Sequence, residues 1–387
     1  MTITNLSSTS DASSHKSLKS PESLQPVFIV GTPKSGTTFL LSLFDSHPNV
    51  ITLLETAAYH VSMRGIVSRS RRASALNQFY SSLMQGHTIH AKITSEGVRQ
   101  TIEAITVAHD RQALPKTLIY GFVSMVLDGL GSLAGQVTHF IEKTPRHYDS
   151  VDRIIAGFPH AKIIHVLRDP RDNYLALKRM MDEPAYQGIG YHPTNFLRDR
   201  LLASLEAAYT NVTKYGSQYR LVFYEELILG GEPVIRDLAE WLGLPWNDVL
   251  LVPSYDGELW SGNSLAADLK DRLKPFDRRP IGRWKGALTE QEIDVVEWII
   301  EAYRLTSRYP LSRVSSMRFR VWGLVLPFSR ELQVKKATWG PKTLVLRFKQ
   351  AIIWNYVTRR IWIAARLLKR LQNGDARLAV PSILNAK

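Results

Sequence analysis

The chain of 387 residues contains no cysteine, which excludes a disulfide framework, a thiolate metal site and a cysteine nucleophile. Residues 1–24 are rich in Ser, Thr and Asp and lack the apolar core of a signal peptide; they read as a disordered arm. No hydrophobic run is expected to reach the length of a transmembrane helix. No strand-like run ends in an Asp well placed for Mg²⁺, Asp169 being the nearest, so no metal is expected. Net positive charge is also missing from most of the chain. The net charge is +14, yet Arg313 to Lys387 holds sixteen Lys and Arg against only Glu331 and Asp375, so residues 1–312 sum to zero. The larger part therefore has no electrostatic footprint for nucleic acid. Its length can bury a full core as one large domain or two small ones.

What is present is concentrated first in Val27-Phe-Ile-Val-Gly-Thr-Pro-Lys-Ser-Gly-Thr-Thr-Phe39. Val27 to Val30 read as a fully buried strand. Gly31, Pro33 and Gly36 punctuate a tight loop, and a helix starts at Thr37. A strand, a glycine-bearing loop and a helix N-terminus together form an anion site, because backbone N–H groups and the helix dipole face one pocket. Lys34 adds a full charge, and Ser35, Thr37 and Thr38 add hydroxyl donors. The ATP-binding version of this loop places Lys directly after the last Gly, before the hydroxyl residue that holds Mg²⁺. Here Lys34 precedes Gly36, which argues against it.

A second segment, Lys162-Ile-Ile-His-Val-Leu-Arg-Asp-Pro-Arg-Asp-Asn-Tyr-Leu-Ala176, begins as a buried strand and ends in Arg168 before an Asp-Pro helix start. A guanidinium at that point suits phosphate, to which it donates paired, charge-assisted hydrogen bonds. Three shorter stretches complete the set: Phe140-Ile-Glu-Lys-Thr-Pro-Arg-His147, Phe223-Tyr-Glu-Glu-Leu227 and Ile281-Gly-Arg-Trp-Lys285. In this order, over residues 27 to 285, they resemble the motifs of sulfotransferases that use 3′-phosphoadenosine 5′-phosphosulfate (PAPS), above all the bacterial, tyrosylprotein and heparan types. Two departures stand out. The family usually has Ser eight residues after the Arg, where this chain has Ala176, and Arg278-Arg279-Pro280 replaces the usual Arg-Lys-Gly triplet.

The resemblance implies an α/β fold of the P-loop NTPase-like kind, three layers with a central parallel sheet, over residues 25–312. It implies that Pro33, Lys34, Ser35, Gly36, Thr37 and Thr38 hold the 5′-phosphosulfate. Arg168 would take the 3′-phosphate, helped by Arg278 and Arg279, while Phe39, Tyr224 and Trp284 would lie at the adenine. Lys34 would neutralise charge on the leaving bridging oxygen, and Lys143 would point to the sulfonate or the acceptor. Glu55, after the His47-Pro48 turn, matches the family's general base and is expected to be half-buried beside Leu53 and Leu54. His147 is the rival base, because cytosolic members use a His close after Lys-Thr; here Pro145 and Arg146 intervene. Residues 57–135, with His87, His90, Arg64, Arg69, Arg71 and Arg72, correspond to the stretch that shapes the acceptor pocket. The implied reaction moves a sulfonate from PAPS to a hydroxyl or amine of a small molecule, lipid or glycan. The other readings are an ATP- and Mg²⁺-dependent phosphotransferase and a decayed, membrane-recruited binding protein. A cytoplasmic location, where PAPS is made, is the expectation.

The charged segment 313–387 also carries four of the nine tryptophans, Trp322, Trp339, Trp354 and Trp362. Ile353, Val357, Ile361, Ala364, Leu368 and Leu371 recur at helical spacing, and Asn355, Arg359, Arg366 and Arg370 line another face. Such a basic amphipathic helical extension suits an anionic membrane surface, or packing on the catalytic domain or a second subunit. Nucleic acid fits least, because bulky apolar residues need a dry partner.

Overall fold

The computed structural model describes residues 19–63, 80, 90–107, 114–180, 193–260, 262, 275–313, 315–326, 328 and 358–373. Five strands form one sheet: β1 (Gln25–Gly31), β2 (Val50–Leu54), β3 (His139–Lys143), β4 (Lys162–Leu167) and β5 (Tyr219–Phe223). Their order is β2-β3-β1-β4-β5, and every pair is parallel. A parallel sheet covered on both faces needs near-continuous apolar strands, which is why β1 and β4 read as they do. Along β1, Val27 and Ile29 enter one core while Phe28 and Val30 enter the other. In β4, Ile164 and Val166 oppose Ile163 and Leu167 in the same way.

Helices cover both faces. α1 (Thr37–Phe44) lies with Glu232–Leu242 on one side, and α2 (Leu114–Leu130), α3 (Pro170–Met180) and α4 (Ala203–Tyr215) lie on the other. α5 (Glu290–Ala302) joins the second layer and opens with a capping box in which Thr289 and Glu292 bond each other's backbone N–H. The result is the three-layer α/β P-loop architecture. By length and composition the stretch Leu114–Gln136 could span a membrane, which corrects the expectation that no run reaches that length. In this fold Leu118, Ile119, Phe122 and Val123 of that stretch are fully buried core residues. All five strands end at one edge, with β1 between β3 and β4, so the crevice where α/β sheets bind ligands falls at the loop after β1.

Both ends differ from expectation. Residues 1–18 of the N-terminal arm lie outside the described residues, but Pro21–Ser23 form a 3₁₀ turn and Leu24 is buried in the core. An apolar side chain with a site to fill ends the arm before residue 24. At the other end no break falls at 312. Arg313 and Ser315 bond Asp294 of α5, and Arg320 pairs with Glu301.

The extension contributes α6 (Met317–Val325) and α7 (Thr358–Asn373); Ile353, Asn355 and Val357 lie outside the described residues. The buried stripe of α7 is not the one expected. Ile363 and Leu367 enter the core, Ala364 and Leu371 are partly buried, and Ile361 and Leu368 are exposed. The expected basic face turns inward instead, because Glu206 of α4 is waiting there. Arg366 Nε donates to Glu206 Oε1 at 2.8 Å and Arg370 Nη2 to Oε2 at 2.6 Å, while the Arg370 guanidinium lies over the Tyr209 and Tyr303 rings. Burial alone would raise the Glu206 pKa, but the bonds from Arg370, Arg366 and Tyr303 outweigh it and hold the carboxyl down at about 2.

A folded-state pKa below the unfolded value means stability that is present above about pH 4.5 and is lost as pH falls toward 2. Glu206→Gln is therefore expected to cost about 2 kcal/mol at pH 7, after allowing for solvent screening of partly exposed arginines. Denaturant titration of both proteins between pH 7 and 3 should show the difference shrinking on the acid side. A difference independent of pH would mean that packing, not charge, holds α7.

Candidate active site

The loop between β1 and α1 is shaped by close approaches. A Cβ at Gly31 would stand 2.4 Å from the Val166 carbonyl of β4, and one at Gly36 would stand 2.4 Å from Tyr224 Cδ2. Gly36 also takes φ +100°, open to glycine at little cost. Lys34 adopts φ +69° without that freedom, a strained backbone of the kind held at functional loops. Ser35 N–H closes the turn on the Thr32 carbonyl at 3.0 Å, and Leu40 N–H makes a helical bond to Gly36 O at 3.0 Å. Ser35 Oγ is buried and has no hydrogen-bond partner among the described residues.

Beside this loop the ends of β2 and β3 meet. Lys143 ends β3 with its side chain fully buried, and its Nζ donates to Thr38 Oγ1 at 3.1 Å and to Glu55 Oε1 at 2.5 Å. The Glu55 side chain is 43% exposed. Its surroundings differ from expectation: Leu53 points into the core, and the carboxylate faces an ammonium and solvent rather than apolar neighbours. One buried cation thus links the first turn of α1 to an accessible carboxylate.

The backbone that carries Glu55 is clamped by β3. Glu55 and Ala57 both have positive φ, +54° and +51°. Glu55 N–H donates to Lys143 O at 2.7 Å, Thr56 N–H and Oγ1–H to Glu142 Oε1 at 3.2 and 2.8 Å, and Ala57 N–H to Thr144 Oγ1 at 3.1 Å. Glu142 is fully buried. Burial would raise its pKa, but His147 and the Thr144 and Thr56 hydroxyls hold it below the usual carboxylate range. His147 is placed by this arrangement too: its Nδ1 faces Glu142 Oε2 at 3.0 Å and its ring is fully buried beside Tyr59 and His60. Its burial and its bond to Glu142 favour the accessible Glu55 over it as the base, while its Nε2 has no partner among the described residues. The two residues between Thr144 and His147 begin a 3₁₀ turn that aims the ring under the sheet edge. The sequence reading missed Glu142 and Thr56 as positioning residues; their only signal was a Glu beside the Lys-Thr pair.

On the other side of β1, Arg168 spans two loops. Its Nη1 donates to Lys34 O at 3.1 Å and its Nη2 to Pro280 O at 2.6 Å, and Nε is buried with no partner among the described residues. Asn173 donates to Pro33 O at 2.9 Å, and the Asp172 carboxylate accepts from Gly282 N–H at 2.6 Å and Trp284 N–H at 3.0 Å. Burial pushes the Asp172 carboxyl up in pKa despite the nearby Arg168. Trp284 is buried in the core with Arg171 over its ring at 4.2 Å, so it anchors the late loop rather than covering a ligand. Arg279 pairs with Asp277, and Arg278 is exposed. Ala176 sits half-buried on α3. Asp169 is tied to Arg171 at 2.8 Å.

Tyr224 begins the helix after β5 and lies under Gly36, with Arg168 over its ring at 4.7 Å; burial pushes its hydroxyl up to about 12. Phe39 meets it edge-on and also packs near Trp260 and Phe276. The last two were not legible, since they lie far along the chain in stretches without a motif. Residues 64–79 and 81–89, with Arg64, Arg69, Arg71, Arg72 and His87, lie outside the described residues, while the His90 ring stands 4.0 Å from Asp256. Among the described residues no group of three or more His, Asp or Glu is arranged for a metal.

Comparison with known proteins bears on this arrangement. A protein-tyrosine sulfotransferase 1 from Danio rerio is 23% identical over 68% of this chain and 66% of its own length. A protein-tyrosine sulfotransferase A from Caenorhabditis elegans is 23% identical over 69% of this chain and 63% of its own. The chain thus spans just under two thirds of these relatives. The solved sulfotransferase domain from the curacin biosynthetic pathway aligns with a TM-score of 0.48 at 15% identity, over 73% of this chain and 98% of that domain. Residues 26–248 match the family described as the sulfotransferase family, more than half of the chain and all of β1 to β5 except Gln25. This protein belongs to the sulfotransferase family.

Proposed function

We propose that this sulfotransferase takes its sulfonate from PAPS and passes it to a hydroxyl or amine of a small-molecule, lipid or glycan acceptor. The observation that carries the reading is Lys143, a buried cation that bonds both Thr38 at the start of α1 and the accessible Glu55 carboxylate. The residues present fit the nucleotide. Ser35 Oγ and Arg168 Nε are buried polar atoms without a partner among the described residues, at the two places where its phosphates are expected. Pro33 to Thr38 would hold the 5′ end, Arg168 the 3′-phosphate, and Phe39, Tyr224, Trp260 and Phe276 offer an apolar wall for the base. When bound, PAPS supplies an activated sulfonate on a phosphate leaving group.

Each chemical task then has a residue of this chain. Glu55 takes the proton of the acceptor at its carboxylate oxygen. Lys143 holds that carboxylate in place and adds a positive charge beside it. Lys34 meets the negative charge that builds on the leaving oxygen, where a preplaced cation lowers the barrier. Asp169, whose carboxylate is engaged by Arg171, offers no ready Mg²⁺ ligand for the phosphotransferase reading.

Calorimetric titration with adenosine 3′,5′-bisphosphate and, separately, with ATP and Mg²⁺ tests the donor. Saturable binding of the bisphosphate and none of ATP is the expected result, and it would also show that Ala176 is tolerated. The reverse preference would favour a phosphotransferase, and binding of neither would indicate a decayed site.

A further inference from the structure

The two helices of the extension bury one side each, and their other sides are apolar as well. On α6 and at the residue just after it, Phe319, Trp322 and Leu326 stand at spacings of three and four, with Phe319 65% and Trp322 51% exposed. On α7, Ile361 and Leu368 stand seven residues apart on one face with Trp362 beside Ile361 in the chain, Ile361 61% and Trp362 46% exposed. The two helices adjoin: the buried Arg360 reaches the Leu326 carbonyl with Nη2 at 3.5 Å and lies over the Phe328 ring. Both helices also pack on α5 and on each other. Scattered exposed apolar residues are ordinary, but a set of this size with three aromatic rings marks an interaction surface.

Charge identifies the occupant. Arg313 to Lys387 carries the whole net charge of +14 while the rest of the chain is neutral. Exposed Arg318 and Lys369 stand on the same helices as the apolar residues. A second copy would bring these exposed cations against their own like, which is unfavourable. An anionic lipid surface answers both features. It attracts basic residues and accepts aromatic and aliphatic side chains at headgroup depth. Trp and Phe on a rigid helical pair suit that depth, where amphipathic rings concentrate.

We propose that the face formed by Phe319, Trp322, Leu326, Ile361, Trp362 and Leu368 docks the folded enzyme on an anionic lipid bilayer. The proposal is independent of the donor and of the base, since none of these residues lies at the site described above. It differs from a loose basic tail: α7 is held on the catalytic domain by Glu206, so docking fixes the enzyme's orientation on the surface.

The test is co-sedimentation of the full chain with phosphatidylcholine vesicles, with and without phosphatidylglycerol, against the variant Trp322→Ser/Trp362→Ser. The wild type is expected to pellet with the phosphatidylglycerol vesicles, about tenfold less with phosphatidylcholine alone, and the variant about tenfold less than the wild type. Both side chains are exposed, so the variant should melt at the wild-type temperature. Should it unfold instead, the wild type alone decides the matter through quenching of tryptophan fluorescence by vesicles with brominated acyl chains. Equal pelleting of wild type and a folded variant, no pelleting at all, or no quenching overturns the proposal. So does a lipid-free dimer in light scattering that the double substitution dissolves, which would assign the face to a second copy.

Discussion

Replacing Glu55 by Gln is expected to lower kcat by about 10²- to 10⁴-fold, the range of a lost general base, with little change in affinity for adenosine 3′,5′-bisphosphate. The substitution is close to isosteric. Gln keeps an oxygen that can accept from Lys143 Nζ, now at 2.5 Å from Glu55 Oε1, and it keeps the backbone N–H bond to Lys143 O. The positive φ at residue 55 burdens both side chains equally. What Gln cannot do is take a proton. Steady-state rates with a saturating acceptor, read beside the bisphosphate titration, separate the roles. A wild-type rate would leave Glu55 as the counter-ion of Lys143 and nothing more. A loss of nucleotide binding equal to the loss of rate would mean that Glu55 supports the loop, not the chemistry.

Lys34→Ala is expected to reduce kcat by at least about 10²-fold, comparable with removal of a preplaced charge-stabilising donor. Lys34 sits at φ +69° between the backbone bonds of Thr32 and Gly36, and its own carbonyl accepts from Arg168 Nη1 at 3.1 Å. Alanine carries the same Cβ and the same backbone burden, so the loop and the Arg168 contact should survive, and the lost quantity is the ammonium. A cation that only binds phosphate would show as weaker binding of the bisphosphate, with kcat restored at saturation. A cation that meets charge in the transition state would show in kcat itself. The measurement is the split between the two. A variant with normal kcat at saturating donor would move Lys34 from the catalytic to the binding residues.

Much of the site was legible because it is contiguous. Val27 to Phe39 carries a strand, a turn and a helix start, and an anion cradle of that kind is built from neighbouring backbone N–H groups. The buried character of β1 and β4 was equally local, since a strand covered on both faces must be near-continuously apolar. Arg168 and Tyr224 could be placed because each stands at a strand end. Less was legible where a side chain's direction depends on what the fold brings against it. His147 and Glu142 stand five residues apart and turn toward each other below the sheet edge, while Lys143 between them points to α1 and Glu55. Trp284 lay in a motif, yet Arg171 and the core claimed its ring. For α7 the helix itself was readable, but its rotation was not, because apolar and basic residues recur around most of its circumference.

The order of the amino acids alone determined the α/β class, the phosphate-type loop, the family and the confinement of charge to residues 313–387, since each rests on residues adjacent in the chain or on simple counting. Only the tertiary structure decided that Lys143 bridges Thr38 and Glu55, that His147 is buried against Glu142, and that Arg366 and Arg370 pair with Glu206. Those outcomes depend on strand ends and helix faces far apart in sequence, and burial costs select the pairing: a charge withdrawn from water must find its partner across the fold.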